Sequence, residues 1–348
     1  MSIQLPLAGV RIVEFEGIGP GPMAGRMLGG MGAEVTVVAR PNKAALPSLG
    51  TAAEADNPLR EGKHEVLIDL KTPQGVAQAL DLAASADAII EGNRPGVMER
   101  LGLGPAECLA RNPRLVYGRM TGWGQHGPLA QAAGHDLNYV ALTGLLSLGA
   151  RKGDTPMVPP TVVGDAGGAL GLAFGIACAL VDVRGGGQGR VVDAAIVDVV
   201  SMLGTLVHWV RATGNIDGAK ASTFHDSPYY DVYECADGGH ITVAAIEPQF
   251  YARLLDKLGM QDVDPKEQDD RSKWPGLKAR FTACFRSKTR QEWCDLLEGC
   301  DVCFAPVLSI AEAMAHPHNA ARGIYLQRPS GSLFPNVAPR FAQVAKRG

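Results

Sequence analysis

Apolar positions along the chain fall into short runs whose period switches between that of a strand and that of a helix. Val10 to Phe15 reads as a strand, Gly17 to Pro22 as a turn-rich loop, Met23 to Met31 as a helix and Glu34 to Ala39 as a second strand, which together make a βαβ unit. Further strand-like runs at Glu65 to Asp69, Ala88 to Ile90 and Leu115 to Met120 alternate with helical stretches at Pro73 to Ala84 and Pro105 to Arg111. This alternation predicts an α/β fold whose large domain holds a Rossmann-like, doubly wound, mostly parallel sheet. Two long helices are expected next, Asp136 to Leu148 and Ala166 to Val181. The second carries Gly167, Gly168, Gly171 and Gly175. Each glycine costs a helix about 1 kcal/mol, so their clustering predicts a close backbone approach to a neighbour.

A glycine-rich turn from Arg184 to Arg190 leads into strand Val191 to Ala194 and helix Val197 to Arg211. Residues 1–211 are therefore expected to form the large domain, and residues 212–226, poor in core side chains, a linker. A smaller α+β domain is expected over 227–318. Its strands Tyr230 to Cys235 and His240 to Ala245 flank an Asp237-Gly238 hairpin turn, and a helix follows from Gln249 to Leu258. Residues 319–348 are read as a return segment packing on the large domain.

Composition narrows the functional classes. A formal net charge of -3 argues against wholesale binding of nucleic acid or anionic membrane, so any basic patch has to be sought in individual cations. Seven cysteines, odd in number and irregularly spaced, do not form a secreted disulfide framework; reduced thiols and a cytoplasmic setting are expected. Met1 to Val10 has neither the basic start nor the apolar stretch of a signal peptide. The apolar run Ala166 to Val181, bounded by Asp165 and Asp182, is shorter than the roughly 20 residues of a membrane span. Cys300-x-x-Cys303 lacks a second ligand pair, and His316 and His318 lack further partners, so no metal site is expected.

Gly17-Ile18-Gly19-Pro20-Gly21-Pro22 follows the first strand and imitates a dinucleotide-binding loop. It lacks the third glycine of that motif, and its two prolines remove N–H groups that a pyrophosphate would use. Arg40 stands where an acidic residue would meet a ribose, with Lys43 close behind; a cation there suits the 2′-phosphate of NADP or the 3′-phosphate of coenzyme A. Asp69-Leu70-Lys71 and Glu91-Gly92-Asn93-Arg94-Pro95-Gly96 also follow predicted strands and each carries a cation. Arg40, Lys71 and Arg94 together fit a long polyphosphate ligand.

Three further segments place titratable groups just before predicted helices: Gly134-His135-Asp136, Gly164-Asp165-Ala166 and Ile246-Glu247-Pro248. Helix starts offer unpaired N–H groups and a positive dipole end, which stabilise negative charge. If the three converge, one group can take a proton from carbon, another return it, and a helix-end N–H, that of Asp136, hold the oxyanion formed between.

The ordered motifs Gly9-Val10-Arg11-Ile12-Val13-Glu14, Asp69-Leu70-Lys71, Asn93-Arg94-Pro95-Gly96, Gly122-Trp123-Gly124-Gln125, Gly134-His135-Asp136-x-Asn138-Tyr139, Val163-Gly164-Asp165, Tyr233-Glu234-Cys235-Ala236-Asp237-Gly238 and Ile246-Glu247-Pro248 span nearly the whole chain. They resemble the family III CoA-transferase superfamily and, within it, the α-methylacyl-CoA racemases. The resemblance implies an interlocked homodimer with shared active sites, Glu247 being supplied in trans. It implies His135, paired with Glu247, and Asp165 as opposing bases in the racemisation of a 2-methylacyl-CoA thioester. Arg40, Asp69, Leu70, Lys71, Asn93, Arg94, Gly96, Asn138 and Tyr139 would then line the CoA site. No cofactor is implied, because coenzyme A is part of the substrate. In the transferase branch the residue matching Asp165 is instead a nucleophile that carries a mixed anhydride. An NADP-dependent reductase using Arg40, and a non-catalytic acyl-CoA-binding protein, are the readings from other classes.

Overall fold

The computed structural model describes residues 4–41, 57–216, 220–328 and 330–342. The chain divides into two compact units. The first takes the described residues up to Leu146, Val158–Gly204 and those from Tyr325 onward; the second takes Ser147–Met157 and Thr205–Ile324.

In the first unit the strands are β1 (Arg11–Phe15), β2 (Glu34–Ala39), β3 (His64–Leu67), β4 (Ala88–Glu91), β5 (Val116–Thr121) and β6 (Arg190–Ala195). They form one sheet in the order β3-β2-β1-β4-β5-β6, parallel throughout. A parallel sheet needs cover on both faces. The helices that surround it are α1 (Pro20–Gly30), α2 (Pro73–Ser85), α3 (Val97–Arg100), α4 (Pro105–Arg111), α5 (Asp136–Leu142), α6 (Gly167–Arg184) and α7 (Ile196–Leu203). Successive residues of β1 face opposite sides: Ile12 joins a core with Leu28, Ile90 and Ile176, while Val13 joins another with Ala79, Ile89 and Tyr117. The strand order reverses between β1 and β4. The loops that leave β1 to β5 therefore gather at one sheet edge, where open α/β sheets hold their ligands.

The glycines of α6 meet its neighbours as their clustering predicts. A Cβ on Gly168 would lie 2.7 Å from Ile196, and one on Gly171 2.5 Å from Val199. The helical run is longer than expected. Val162–Arg184, 23 residues with a mean hydropathy of 1.9, is long and apolar enough to cross a membrane, although half of it is buried, against β5, β6 and α1.

The second unit contains α8 (Thr205–Ala212), α9 (Thr223–Asp226), β7 (Tyr230–Glu234), β8 (His240–Ala244), α10 (Pro248–Lys257), α11 (Trp274–Phe285), α12 (Arg290–Leu297), β9 (Phe304–Val307), α13 (Ile310–Ala315) and α14 (Pro317–Ala321). Its sheet is antiparallel in the order β7-β8-β9. Tyr229, Tyr251, Trp274, Phe281, Phe285 and Trp293 fill its core. The chain then returns to the first unit through the hairpin β10 (Tyr325–Gln327) and β11 (Leu333–Pro335), where Arg26 of α1 donates to the Pro335 carbonyl at 2.9 Å.

Three boundaries differ from the pattern-based expectation. The helix expected over 136–148 ends at Leu142, because Gly144 turns the chain with φ 81° into a 3-10 turn, Leu145–Leu148. The helix expected over 197–211 is broken at Gly204, where a Cβ would stand 2.8 Å from Leu145. The described residues of the expected linker, 212–226, belong to the second unit: Ser222 Oγ donates to the Asn215 carbonyl at 2.7 Å, and Asp226 accepts from the Ser222 N–H at 2.6 Å.

Candidate active site

His135 is the N-cap of α5, and its backbone N–H donates to Asn138 Oδ1 at 3.0 Å. The imidazole is exposed, whereas the next residue, Asp136, is buried. Asp136 turns its carboxylate back on a distant turn. Oδ1 accepts from the Asp165 N–H at 2.8 Å and Oδ2 from the Thr161 N–H at 3.1 Å. Those two bonds fix a single π-helical turn, Val162–Ala166, that carries Asp165. Such turns are rare and recur at functional sites. Thr161 enters it with φ 63°, an uncommon conformation for a residue with a side chain. Gly164 is needed beneath it, since a Cβ there would overlap the Asp136 carboxylate.

The turn ties Asp165 to Asp136 and leaves its side chain within electrostatic reach of His135. Burial, and secondarily the Asp136 charge, hold the Asp165 carboxyl above its ordinary range, while His135 pulls it the other way. A carboxyl biased toward holding a proton, next to an imidazole, is the raw material of a two-base proton transfer.

The carboxyl edge of the sheet supplies the surroundings. Asn93 is anchored from below: its N–H donates to Glu91 Oε2 at 2.7 Å and its amide to Met98 Sδ at 3.3 Å. Glu91 is buried, and Arg119 Nε meets its other oxygen at 3.0 Å while Nη1 reaches Glu99 at 2.8 Å. Burial raises the Glu91 carboxyl, with Asn93 and Arg119 opposing it. This buried network sets the loop that presents Arg94, which is exposed and has no ion pair among the described residues. Gly96 starts α3 with φ 82°. Tyr139 leans over the loop, half-buried, its hydroxyl donating to the Gly134 carbonyl and its ring meeting Trp123 edge-on at 4.7 Å. Burial and the Asp165 charge raise its phenol, and Arg94 opposes them.

After β3, the Asp69 carboxylate accepts from the Lys71 N–H at 3.0 Å, Leu70 packs on the core, and the Lys71 side chain is exposed. After β2, the Arg40 N–H donates to Glu16 at 3.1 Å and its exposed guanidinium lies 3.7 Å from the same carboxylate. Lys43 lies outside the described residues.

Glu247 belongs to the second unit, where it is the exposed N-cap of α10. Cys303 lies within electrostatic reach of it; burial, then Glu247 and Asp301, push that thiol up. Cys303 has φ 52° and, like the other six cysteines, is free. Two cavities also lie within this unit. One of about 610 Å³ is lined by Arg151, Lys152, Lys220 and His225, and another of about 500 Å³ by Trp209, Phe224, Tyr229 and Arg271. Neither includes a residue expected in the proton-transfer site.

Pattern reading overlooked two features here. One is the clamping role of the Asp136 carboxylate, legible only as an acid at a helix start. The other is the pair of charged residues inside apolar strands, Glu91 and Arg119, whose signal is their cost unless paired.

The family model for CoA-transferase family III matches residues 7–346, and the chain belongs to that family. Alpha-methylacyl-CoA racemase of Mus musculus is 39% identical over 336 residues, covering 96% of this chain and 85% of the relative. Alpha-methylacyl-CoA racemase of Homo sapiens is 37% identical over 338 residues, covering 96% and 86%. Among solved structures, Rv3272 from M. tuberculosis aligns over 97% of this chain and 93% of its own, with a TM-score of 0.80 and 29% identity.

Proposed function

We propose that the chain is an isomerase that interconverts the 2R and 2S forms of 2-methylacyl-CoA thioesters. The observation that carries this reading is the hydrogen bond that ties the Asp165 turn to Asp136, the residue next to His135, which leaves Asp165 within electrostatic reach of that imidazole, in a chain 37% and 39% identical to two racemases. The thioester carbonyl acidifies the C2 hydrogen; its removal gives a planar enolate, and reprotonation from the opposite face inverts the centre. His135 takes the hydrogen of the 2S substrate and Asp165 that of the 2R substrate. The Asp136 N–H lies in the first turn of α5, where the helix offers it no acceptor, and it holds the enolate oxygen. No redox or metal cofactor has a step in this sequence, because coenzyme A arrives as part of the substrate.

The large unit binds coenzyme A at the edge of its Rossmann-like sheet. Lys71, Arg40 and Arg94 leave β3, β2 and β4, so their loops span three strand spacings, about 14 Å. That span suits the phosphates of one CoA, with Asp69, Leu70, Asn93 and Gly96 shaping the loops and Asn138 and Tyr139 toward the pantetheine arm.

The working enzyme is a homodimer in which Glu247 of one copy orients His135 of the other. A bare face supports the second copy. Leu170, Phe174 and Val181, 53%, 68% and 73% exposed, follow one side of α6, a helix apolar all round, and such a face calls for cover.

The competing chemistry for Asp165 is that of a transferase nucleophile. Purified protein given one enantiomer of a 2-methylacyl-CoA and a free carboxylic acid separates the two. Epimerisation without movement of CoA is expected; CoA passing to the acid with configuration retained would establish transfer instead. An absolute requirement for NADPH would establish the reductase.

A further inference from the structure

The Gly17–Pro22 loop, which imitates a nucleotide loop, has no part in the chemistry described so far. It lies against Asp165. Gly19, the N-cap of α1, has φ 71° and ψ -116°, and a Cβ built on it would sit 3.3 Å from Asp165 Oδ2. A helix start beside a carboxylate ordinarily favours the charged form through its N–H groups. Here Pro20 and Pro22 have removed two of those donors, and the Met23 N–H is spent on the Gly19 carbonyl at 3.1 Å. Among the described residues no N–H of this helix start donates to the Asp165 carboxylate. The loop is held from behind: Lys63, buried, donates to the Pro22 carbonyl at 2.8 Å and to Glu14 at 2.6 Å.

We infer that this loop is the dry wall of the proton-transfer site, and that Gly19 is a positioning residue whose missing side chain lets the wall close on Asp165 without solvating it. The prolines that spoil the loop for a pyrophosphate suit it to this task, because they withhold the donors that would keep Asp165 ionised. The inference rests on the racemase reading for its consequence in catalysis, but not for the contact itself.

The test compares Gly19→Ala with Gly62→Ala. Gly62 also has a φ of 71° with nothing within 4 Å of its built Cβ, so it reports a side chain added at positive φ without such a contact. The first readout needs no turnover: the carboxyl carbon of Asp165, ¹³C-labelled and assigned by its loss in Asp165→Asn, is titrated. It should titrate above the ordinary aspartate range in the wild type and in Gly62→Ala, and move down toward that range in Gly19→Ala. Gly19→Asn, which also carries the Cβ, should move it in the same direction and serves if the alanine variant does not fold. The second readout places each variant in a His135→Asn background, where hydrogen exchange of the 2R substrate isolates Asp165. Gly19→Ala should lower that exchange by about tenfold or more, as a misplaced base does, and Gly62→Ala should not. An Asp165 titration unchanged by both Gly19 variants overturns the inference whatever the activity. A shifted titration in a protein that never racemises keeps the inference and discards the functional reading.

Discussion

At the scale of single residues, the two proposed bases differ in surroundings, and the difference can be measured. His135 is exposed at a helix start, whereas Asp165 is partly buried beside a second carboxylate, so the bases are not interchangeable. Replacing either should abolish racemisation while leaving one-sided exchange: Asp165→Asn should still exchange the 2S substrate with solvent, and His135→Asn the 2R substrate. The same exchange pattern in both variants would contradict opposed faces. In His135→Asn, exchange requires the Asp165 carboxylate, so the rate should rise as pH rises through the Asp165 pKa. Its midpoint should lie above the ordinary aspartate value, because burial and Asp136 still raise the group and the opposing imidazole is gone. The intact enzyme behaves differently, because each direction needs one base protonated and one not. The two enantiomers should therefore share a single bell-shaped profile of kcat/KM against pH. Arg94 is exposed and without an ion pair among the described residues, whereas Arg40 lies 3.7 Å from Glu16. A charge-assisted phosphate contact is worth about 1.5 to 3 kcal/mol, so Arg94→Ala should weaken CoA binding by roughly tenfold or more, measured by calorimetry.

At the scale of elements, a buried pair fastens α1 to the sheet. Glu14 of β1 and Lys63 are both almost wholly buried, with Lys63 Nζ 2.6 Å from the carboxylate. Burial pushes Glu14 up to about 7 despite Lys63, and Gly25 of α1 has no side chain because a Cβ would overlap Glu14. Removing one partner strands a charge, so Lys63→Met should cost about 3 to 5 kcal/mol in urea unfolding, and Glu14→Leu with Lys63→Met should recover most of it. Nothing in the sequence joins these two residues, which are 49 positions apart. What the pattern did reveal is where an element is bounded by its own chemistry. β2 and α4 have the ends expected of them, α4 because Pro105 opens it and Asn112 leaves the helical conformation. The pattern failed where an end depends on a distant partner. Gly204 interrupts an unbroken apolar period because Leu145 packs over it, and the π turn around Asp165 exists because a carboxylate 29 positions earlier holds it. The site shows the same division: His135, Asp136 and Asp165 were legible as acids and bases at helix starts, whereas the clamp between two of them was not.

At the scale of the whole molecule, the proposed sharing of sites between copies makes a genetic prediction. If Glu247 acts on the partner's His135, then Glu247→Gln and Asp165→Asn, each inactive alone, should form heterodimers with one intact site and one doubly damaged site. Co-expressed and isolated with distinct tags, these should recover part of the wild-type activity. Verified heterodimers without activity would place Glu247 and Asp165 of one copy in the same site. Truncating the bare face of α6, for example by Phe174→Ser, should shift the protein toward monomer in sedimentation and lower activity with it.

In the proposed reaction, two bases on opposite faces of C2 invert the centre through an enolate. The most direct test is to incubate one pure enantiomer of a 2-methylacyl-CoA with the enzyme in deuterated water, following label and configuration together. Deuterium should enter C2 as the opposite configuration appears, with every inverted molecule formed early in the reaction carrying solvent label. Unlabelled C2 with configuration retained, while CoA passes to an added acid, would contradict the proposed reaction.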